Sequence, residues 1–188
     1  MGIIARVLTI RHVAVGRGTQ NYTCDASNPT AAPQPIGAMA TLFNVSCVAA
    51  MWPTLVEAMP LMAVAMDLST TKTAGAGFAP MSGVHYFTDL TTPYFDLDTP
   101  SMAIGEAPCA KNSSTAAPGL PLGGMGHWKG SAVPWLKLTT KDGATGNIKE
   151  VYRVNTVGGT PPSSCEGQPA SVEVQYSALY WFWESNEE

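Results

Sequence analysis

The chain has 188 residues with a net charge of -4, hydrophobic residues at 45% of its positions and charged residues at only 13%. This composition predicts one domain, residues 1–188, with a substantial core, and it excludes the basic surface that nucleic-acid binding requires. The longest apolar run, LMAVAM at residues 61–66, is too short to cross a bilayer as a helix, so no membrane span is expected.

The first predicted strand contains the stretch TQNYTC at residues 19–24, in which side chains alternate between two faces. This alternation puts Asn21 on the outer face and Gln20, Tyr22 and Cys24 on the inner one. The tripeptide that begins at Asn21 is also an N-glycosylation acceptor. One strand can therefore carry a glycan in solvent and a buried half-cystine.

A second strand with the same arrangement is predicted for TLFNVSC, which ends at Cys47. Its alternation turns the acceptor Asn44 outward and Cys47 inward, toward the same side as Cys24. A Cys24–Cys47 disulfide is therefore the preferred prediction, which would leave Cys109 and Cys165 for a second bridge. The pairing stays open, because four cysteines allow three connectivities.

Cysteines that can pair and glycosylation acceptors together indicate a protein that is secreted or passes through the secretory pathway. The acceptors are Asn21, Asn44 and Asn112, the last in a polar Ser/Thr/Ala stretch. The initial stretch MGIIARVLTIRHVAV contains Arg6 and Arg11 and lacks a small-residue cleavage site, so a secreted protein would have lost its leader. The alternative is an intracellular protein with four free thiols.

One short helix is predicted in the segment AAMWPTLVEAMPLMAVAMDL. Pro53 suits a first helical turn, and Leu55, Val56 and Met59 share one face. Pro60 is expected to end the helix after about two turns, because proline lacks the backbone N–H that a helix interior needs. This helix would cap an otherwise β structure.

The central segment HYFTDLTTPYFDLD also has strand character, and it places Asp96 and Asp98 on one strand face. Such a pair is typical of a solvated surface, although hydrolase carboxylates and calcium ligands show the same pattern. We therefore expect these two side chains to lie on a solvated face.

The last part of the chain predicts a hairpin with Asp142 and Gly143 at its turn, followed by the strand SVEVQYSALYWFW, which is apolar on both faces near its end. Loops rich in proline and glycine are expected at residues 25–37, 74–83, 105–126 and 158–170. The fold class is all-β: an antiparallel β-sandwich or flattened β-barrel with long loops and one short helix.

Motifs for the common cofactor and nucleophile chemistries are incomplete in this chain. GRGTQN lacks the third glycine of a dinucleotide fingerprint, GGMG lacks the Lys-Ser/Thr of a phosphate loop, and no G-x-S-x-G sequence occurs. The four cysteines and three histidines are scattered rather than spaced as zinc ligands. We therefore predict no cofactor and no metal.

Aromatic residues beside a few hydrogen-bonding groups instead suggest a pocket for small hydrophobic molecules. The sequence GHWKG places His127, Trp128 and Lys129 in a glycine-flanked loop, and loops carry binding residues more often than strands do. Aromatic side chains at strand spacing are more often core residues. A homodimer is compatible with these features, and they do not fix the oligomeric state.

The stretches GRGTQNYTC, GAMATLFNVSC, HYFTDLTTPYFDL and YRVNTVGGTPPSSC resemble a family of secreted proteins that is common in fungi and has bacterial relatives. The resemblance runs from about residue 10 to residue 183. The family is a domain of unknown function, and its members are often labelled malate dehydrogenase-like, although this chain has no dinucleotide fingerprint.

The resemblance implies a pericyclase of fungal tropolone-sesquiterpenoid biosynthesis, which guides a hetero-Diels-Alder addition of a tropolone quinone methide to a macrocyclic terpene. In that case Trp52, Tyr94, Trp128 and Trp135 would shape the pocket. His127 or Lys129, with His85 in reserve, would hydrogen-bond the developing negative charge. The alternative is a non-catalytic secreted protein that binds a small apolar ligand or a cell-wall glycan.

Overall fold

A computed structural model of the chain describes residues 7–69, 79–118 and 132–185, and within these ranges it has eight strands and two helices. The strands form one closed antiparallel barrel, so the all-β prediction is confirmed. Of the predicted sandwich and barrel, the barrel is the one that forms. The elements are β1 Leu8–Thr23, β2 Gln34–Asn44, α1 Ser46–Met51, α2 Pro53–Val64, β3 Met81–Asp89, β4 Thr92–Thr99, β5 Met102–Thr115, β6 Trp135–Thr140, β7 Ile148–Gly158 and β8 Ser171–Ser185.

Each strand pairs with its neighbours in the sequence, and β8 returns to pair with β1 along nearly its whole length. The β1–β8 register runs from Leu8 opposite Ser185 to Thr23 opposite Ser171. Closure satisfies the backbone hydrogen-bonding groups that an open sheet would expose at its edges.

The barrel interior is filled by alternate residues of the strands, as the period of two requires. On β8 these are Tyr176, Ala178, Tyr180 and Phe182, and all four are fully buried. Gly16 faces this strand, and a Cβ atom at that position would lie 2.5 Å from the Tyr180 ring. Glycine at this position therefore makes room for a large interior tyrosine.

The outer face of the barrel is covered by α2, which packs against β1, β7 and β8. Val56, Met59 and Ala63 of the helix pack with Val15 and Leu179 of the sheet in a second buried cluster. The final strand, whose two faces are apolar near its end, is therefore packed on both faces.

The sequence prediction of a single short helix ended by Pro60 is wrong. The segment forms two helices, and Pro60 lies inside α2, which continues to Val64. Proline removes one backbone hydrogen bond there, but Met59, Pro60, Ala63 and Val64 are buried, and this packing offsets the loss.

Two other local predictions need correction. The strand alternation stops at Asn44, because α1 begins at Ser46, so Cys47 is exposed instead of pointing inward. Residues 105–115, predicted as part of a loop, belong to β5, where Ala107 and Cys109 occupy interior positions. The predicted hairpin is confirmed as β6 and β7, with its connection at residues 141–147.

The predicted Cys24–Cys47 bridge is also wrong, because Cys24 pairs with Cys165. Cys24 follows β1, and Cys165 lies in the loop before β8, so the β1–β8 pairing brings the two Cα atoms to 5.5 Å. Cys47 is exposed and Cys109 is buried, and both are free thiols. A disulfide is compatible with the oxidising compartment that the sequence predicts.

Candidate functional site

A cavity of about 390 Å³ opens at the end of the barrel where the β3–β4 hairpin turns. Its walls are mainly apolar, and a few polar side chains converge on them, which is the usual construction of a small-molecule site. The lining residues come from β1, β2, β3, β4, β5, β6, β7 and β8, and those used below are Gln20, His85, Phe87, Phe95, Lys111, Leu136, Leu138, Arg153 and Tyr180.

His85 is the buried imidazole of this cavity. Its Nδ1 lies 2.9 Å from the carbonyl oxygen of Tyr94, so Nδ1–H donates to that oxygen and Nε2 carries the free lone pair. The ring stacks on Phe95 at 4.3 Å between centroids. Burial lowers the pKa of His85 to about 4, so the ring is neutral at pH 7.

Arg153 places a guanidinium group in the wall between Leu136 and Tyr180, its partners in the strand register. The residue is only 8% exposed. Its Nη2 donates to the Pro134 carbonyl oxygen at 2.9 Å. Its Nε is buried and has no hydrogen-bond partner among the described residues.

Three buried phenols and the Gln20 amide lie at or next to the polar wall, and of these Tyr180 and Gln20 line the cavity. The hydroxyls of Tyr176 and Tyr180 lie 2.9 Å apart, and the Tyr22 hydroxyl donates to the Gly159 carbonyl oxygen at 2.6 Å. Burial raises the pKa values of all three tyrosines, so they stay protonated at neutral pH. The Gln20 Nε2 atom is buried and, within the described part of the chain, has no hydrogen bond of good geometry, although the Gln20 amide lies close enough to the Tyr176 hydroxyl to lower the pKa of that phenol.

Of the predicted site residues that the structure describes, only His85 lies in the cavity. Trp52 is 54% exposed between α1 and α2 on the outside of the barrel. Tyr94 donates its hydroxyl to Glu106 at 2.5 Å and faces away from the interior, opposite to Phe95. Trp135 has the opposite alternation to Leu136 and is likewise not part of the lining.

The predictions for His127, Trp128 and Lys129 fall outside the described residues. The strands before and after this segment, β5 and β6, contribute Lys111 and Leu136 to the cavity. The roles predicted for the three loop residues stay predictions.

Arg153 and Tyr180 are site residues that the sequence analysis missed. A signal was available, because Arg153 follows Val151 at an interval of two and so takes an inward position. A charged residue at an inward position of a strand is rarely placed there for packing alone. Gln20 was correctly assigned to the inner face.

The glycosylation acceptors differ in exposure. Asn112 is exposed on β5, whereas Asn21 and Asn44 are partly buried. The Asn44 Nδ2 donates to Met102 Sδ at 3.6 Å, and the Asn44 Oδ1 accepts the Ser46 backbone N–H at 3.0 Å. Glycosylation stays a prediction at all three.

Asp96 and Asp98 stabilise the β4–β5 hairpin. Asp98 Oδ1 accepts the Gly105 backbone N–H at 2.8 Å, and Asp96 Oδ1 accepts that of Asp98 at 3.1 Å. Residues 7–69, 79–118 and 132–185 contain no group of three potential metal-ligating side chains. In the same ranges no helix has the length and apolar character needed to cross a membrane.

Comparison with known proteins gives one finding about the family. No curated protein and no solved structure matches the chain significantly. The model of the family DUF3455, described as a protein of unknown function, matches residues 5–184, which agrees with the predicted resemblance to an uncharacterised domain family. The chain therefore belongs to the DUF3455 family of proteins of unknown function.

Proposed function

We propose that the barrel cavity binds a small, largely apolar molecule that carries a hydrogen-bond acceptor. The observation behind this proposal is a pair of buried donors, Gln20 Nε2 and Arg153 Nε, that have no well-formed hydrogen bond to any described residue and lie in a mainly apolar wall. A buried donor left without an acceptor costs about 1–3 kcal/mol. A ligand oxygen that accepts from either group would recover that free energy.

The size and protonation states of the cavity favour binding and positioning over bond-breaking chemistry. A volume of about 390 Å³ suits one small molecule in the lower part of the usual range for ligand sites. In the lining the imidazole of His85 is neutral and the phenol of Tyr180 is protonated, so neither is an activated nucleophile.

The neutral fluorescent dye N-phenyl-1-naphthylamine tests whether the cavity binds an apolar molecule. We expect saturable binding in the cavity with a Kd on the order of micromolar. Leu136→Trp should weaken binding at least about tenfold, because the larger ring fills the space that Leu136 borders.

Thr139→Trp is the matched control, since Thr139 is exposed on the same strand and faces outward. Its affinity for the dye should equal that of the unmodified protein. Equal affinities in both variants, or no saturable binding at all, would exclude the cavity as the site.

A second candidate is the pericyclase activity that the sequence resemblance implies. A hetero-Diels-Alder addition forms one C–C and one C–O bond and releases no group, so it needs orientation and a donor that polarises the electron-poor reactant. Arg153 Nε–H and the Gln20 amide are donors of this kind in the cavity. They would join or replace the loop residues His127 and Lys129 that the sequence suggests.

Incubation of a tropolone quinone methide precursor with a humulene-type alkene, followed by chiral chromatography, tests this candidate. Enantiomerically enriched adduct should form above the background rate, and Arg153→Met should lower the rate by roughly a hundredfold, as loss of a transition-state donor does. Racemic adduct at the background rate, with dye binding intact, would leave the non-catalytic binding protein.

A further inference from the structure

Among the residues that the structure describes, two arginines are buried, and they differ in how their charge is accommodated. Arg17 is 1% exposed on the outer side of β1 and makes five hydrogen bonds. Their acceptors are the carbonyl oxygens of Met66, Gly18 and Tyr176 and the side chain of Gln175. Arg17 is therefore held by a cage of oxygens and has a structural role.

Arg153 has no such cage. Its guanidinium donates to the Pro134 carbonyl oxygen and contacts the Tyr180 hydroxyl, which are both uncharged, and its Nε has no partner among the described residues. The salt bridges in the described part of the chain join Arg11 to Glu184 and Lys137 to Glu150. A buried cation without a nearby anion is costly, so its counter-charge is expected from outside the described protein groups.

The charge of Arg153 acts on the cavity rather than on the outer surface. Burial lowers the pKa of His85 and raises those of Tyr176 and Tyr180, and the Arg153 charge lowers the pKa of each of the three. Lys111 adds a second cation to the lining, and none of the lining residues that the structure describes is a carboxylate. The cavity is therefore electropositive as well as apolar.

We propose that the ligand of this cavity is an anionic amphiphile, with a carboxylate, enolate or similar oxyanion at Arg153 and an apolar body against Phe87, Phe95 and Leu138. This inference rests on the proposed binding function and adds the charge of the ligand to it. A guanidinium donates to an oxyanion through a planar, charge-assisted contact, which is stronger than a neutral hydrogen bond. The Gln20 amide supplies a further donor in the lining.

Two dyes with the same aromatic body test the charge of the ligand separately from binding in the cavity. N-phenyl-1-naphthylamine is neutral, and 1-anilinonaphthalene-8-sulfonate adds one negative charge to it. We expect the unmodified protein to bind the anionic dye at least about tenfold more tightly, because the cavity contributes a buried cation. In Arg153→Met this preference, measured as the ratio of the two Kd values, should disappear.

Lys149→Met is the matched control, because it removes the same charge from the same strand at a residue outside the cavity lining. It should keep the preference for the anion. A preference that survives in Arg153→Met, or is lost equally in Lys149→Met, would overturn the inference.

Dye binding by the unmodified protein tests the anionic character of the ligand separately from the binding function. Neutral and anionic dyes bound equally well would overturn the anionic ligand and leave the binding function standing, whereas no binding of either dye would remove both. If Arg153→Met does not fold, competition by decanoic acid and methyl decanoate against the neutral dye at pH 7 gives the same answer. The acid should compete at least about tenfold better than its ester, and equal competition would contradict the inference.

Discussion

Lowering the pH from 7 to 4 is expected to reduce the free energy of unfolding by roughly 6 kcal/mol through two buried histidines. His12 and His85 both have a pKa lowered from 6.5 to about 4. A shift of that size corresponds to roughly 3 kcal/mol for each residue. The effect is large against the total stability of an ordinary domain, so the barrel should be sensitive to acid.

The physical cause is burial of the neutral ring at both positions. His85 stacks on Phe95 inside the cavity, where a charge would lose its hydration. His12 lies between two hydroxyls, with Nε2 2.9 Å from Ser82 Oγ and Nδ1 3.2 Å from Ser46 Oγ. Burial is the larger cause of its lowered pKa, and the neighbouring charge of Arg11 adds to it.

The direction follows from proton binding in the two states. Well above pH 6.5 each histidine is neutral in both states, so its ionisation takes nothing from the stability of the folded state. Between 6.5 and about 4 the unfolded chain takes up the proton first, so stability falls as the pH falls through this range. Urea denaturation at intervals from pH 7.5 to pH 4 measures the slope of the free energy of unfolding against pH.

Single variants separate the histidines from carboxylates that titrate in the same range. His85→Phe should keep the stacking on Phe95 and lose about half of the histidine-dependent slope, and His12→Phe should remove the other half. Slopes in both variants equal to that of the unmodified protein would show that these rings do not set the acid sensitivity.

Strand alternation explains why much of the fold was predictable. A period of two places Gln20 and Tyr22 inward and gives the final strand two apolar faces, and both expectations hold in the barrel. The same period occurs in sandwiches and barrels, so it does not say which sheet forms. That choice depends on the pairing of β1 with β8, and the two strands are separated by most of the sequence.

The site residues were harder to predict, because the prediction relied on residue type more than on whether a strand position faces inward or outward. Tyr94 and Phe95 are adjacent aromatic residues, yet only Phe95 faces the cavity, and Tyr94 bonds Glu106 outside. Arg153 carries no aromatic or catalytic signature, and its importance comes from its buried surroundings. Burial of this kind depends on neighbouring strands, which a local pattern does not identify.

The disulfide was mispredicted for a related reason. Alternation gives the direction of Cys24, but Cys47 belongs to a helix that interrupts the pattern. The true partner, Cys165, is 141 residues away and is brought near by the closure of the barrel. Long-range pairing of this kind follows from topology and not from the spacing of cysteines.

Removing the bridge with Cys165→Ser is expected to lower the free energy of unfolding by about 2–5 kcal/mol. The bridge closes a loop with a sequence separation of 141 residues, so it restricts the unfolded chain strongly. In the folded state the two ends are also held by backbone hydrogen bonds, from Cys24 N–H to Ala170 at 2.9 Å and from Cys165 N–H to Ala31 at 2.8 Å. Most of the loss should therefore arise in the unfolded state, and urea denaturation measures it.

Cys47→Ser is the matched control, since it also replaces one sulfur by oxygen but at an exposed thiol without a bridge. Its stability should stay within about 0.5 kcal/mol of the unmodified protein, as is usual for surface substitutions. Reductant should destabilise the unmodified protein and this control alike, and it should have no effect on Cys165→Ser. A loss in Cys47→Ser as large as that in Cys165→Ser would instead show that Cys47 takes part in the bridge, because only a bonded sulfur constrains the unfolded chain.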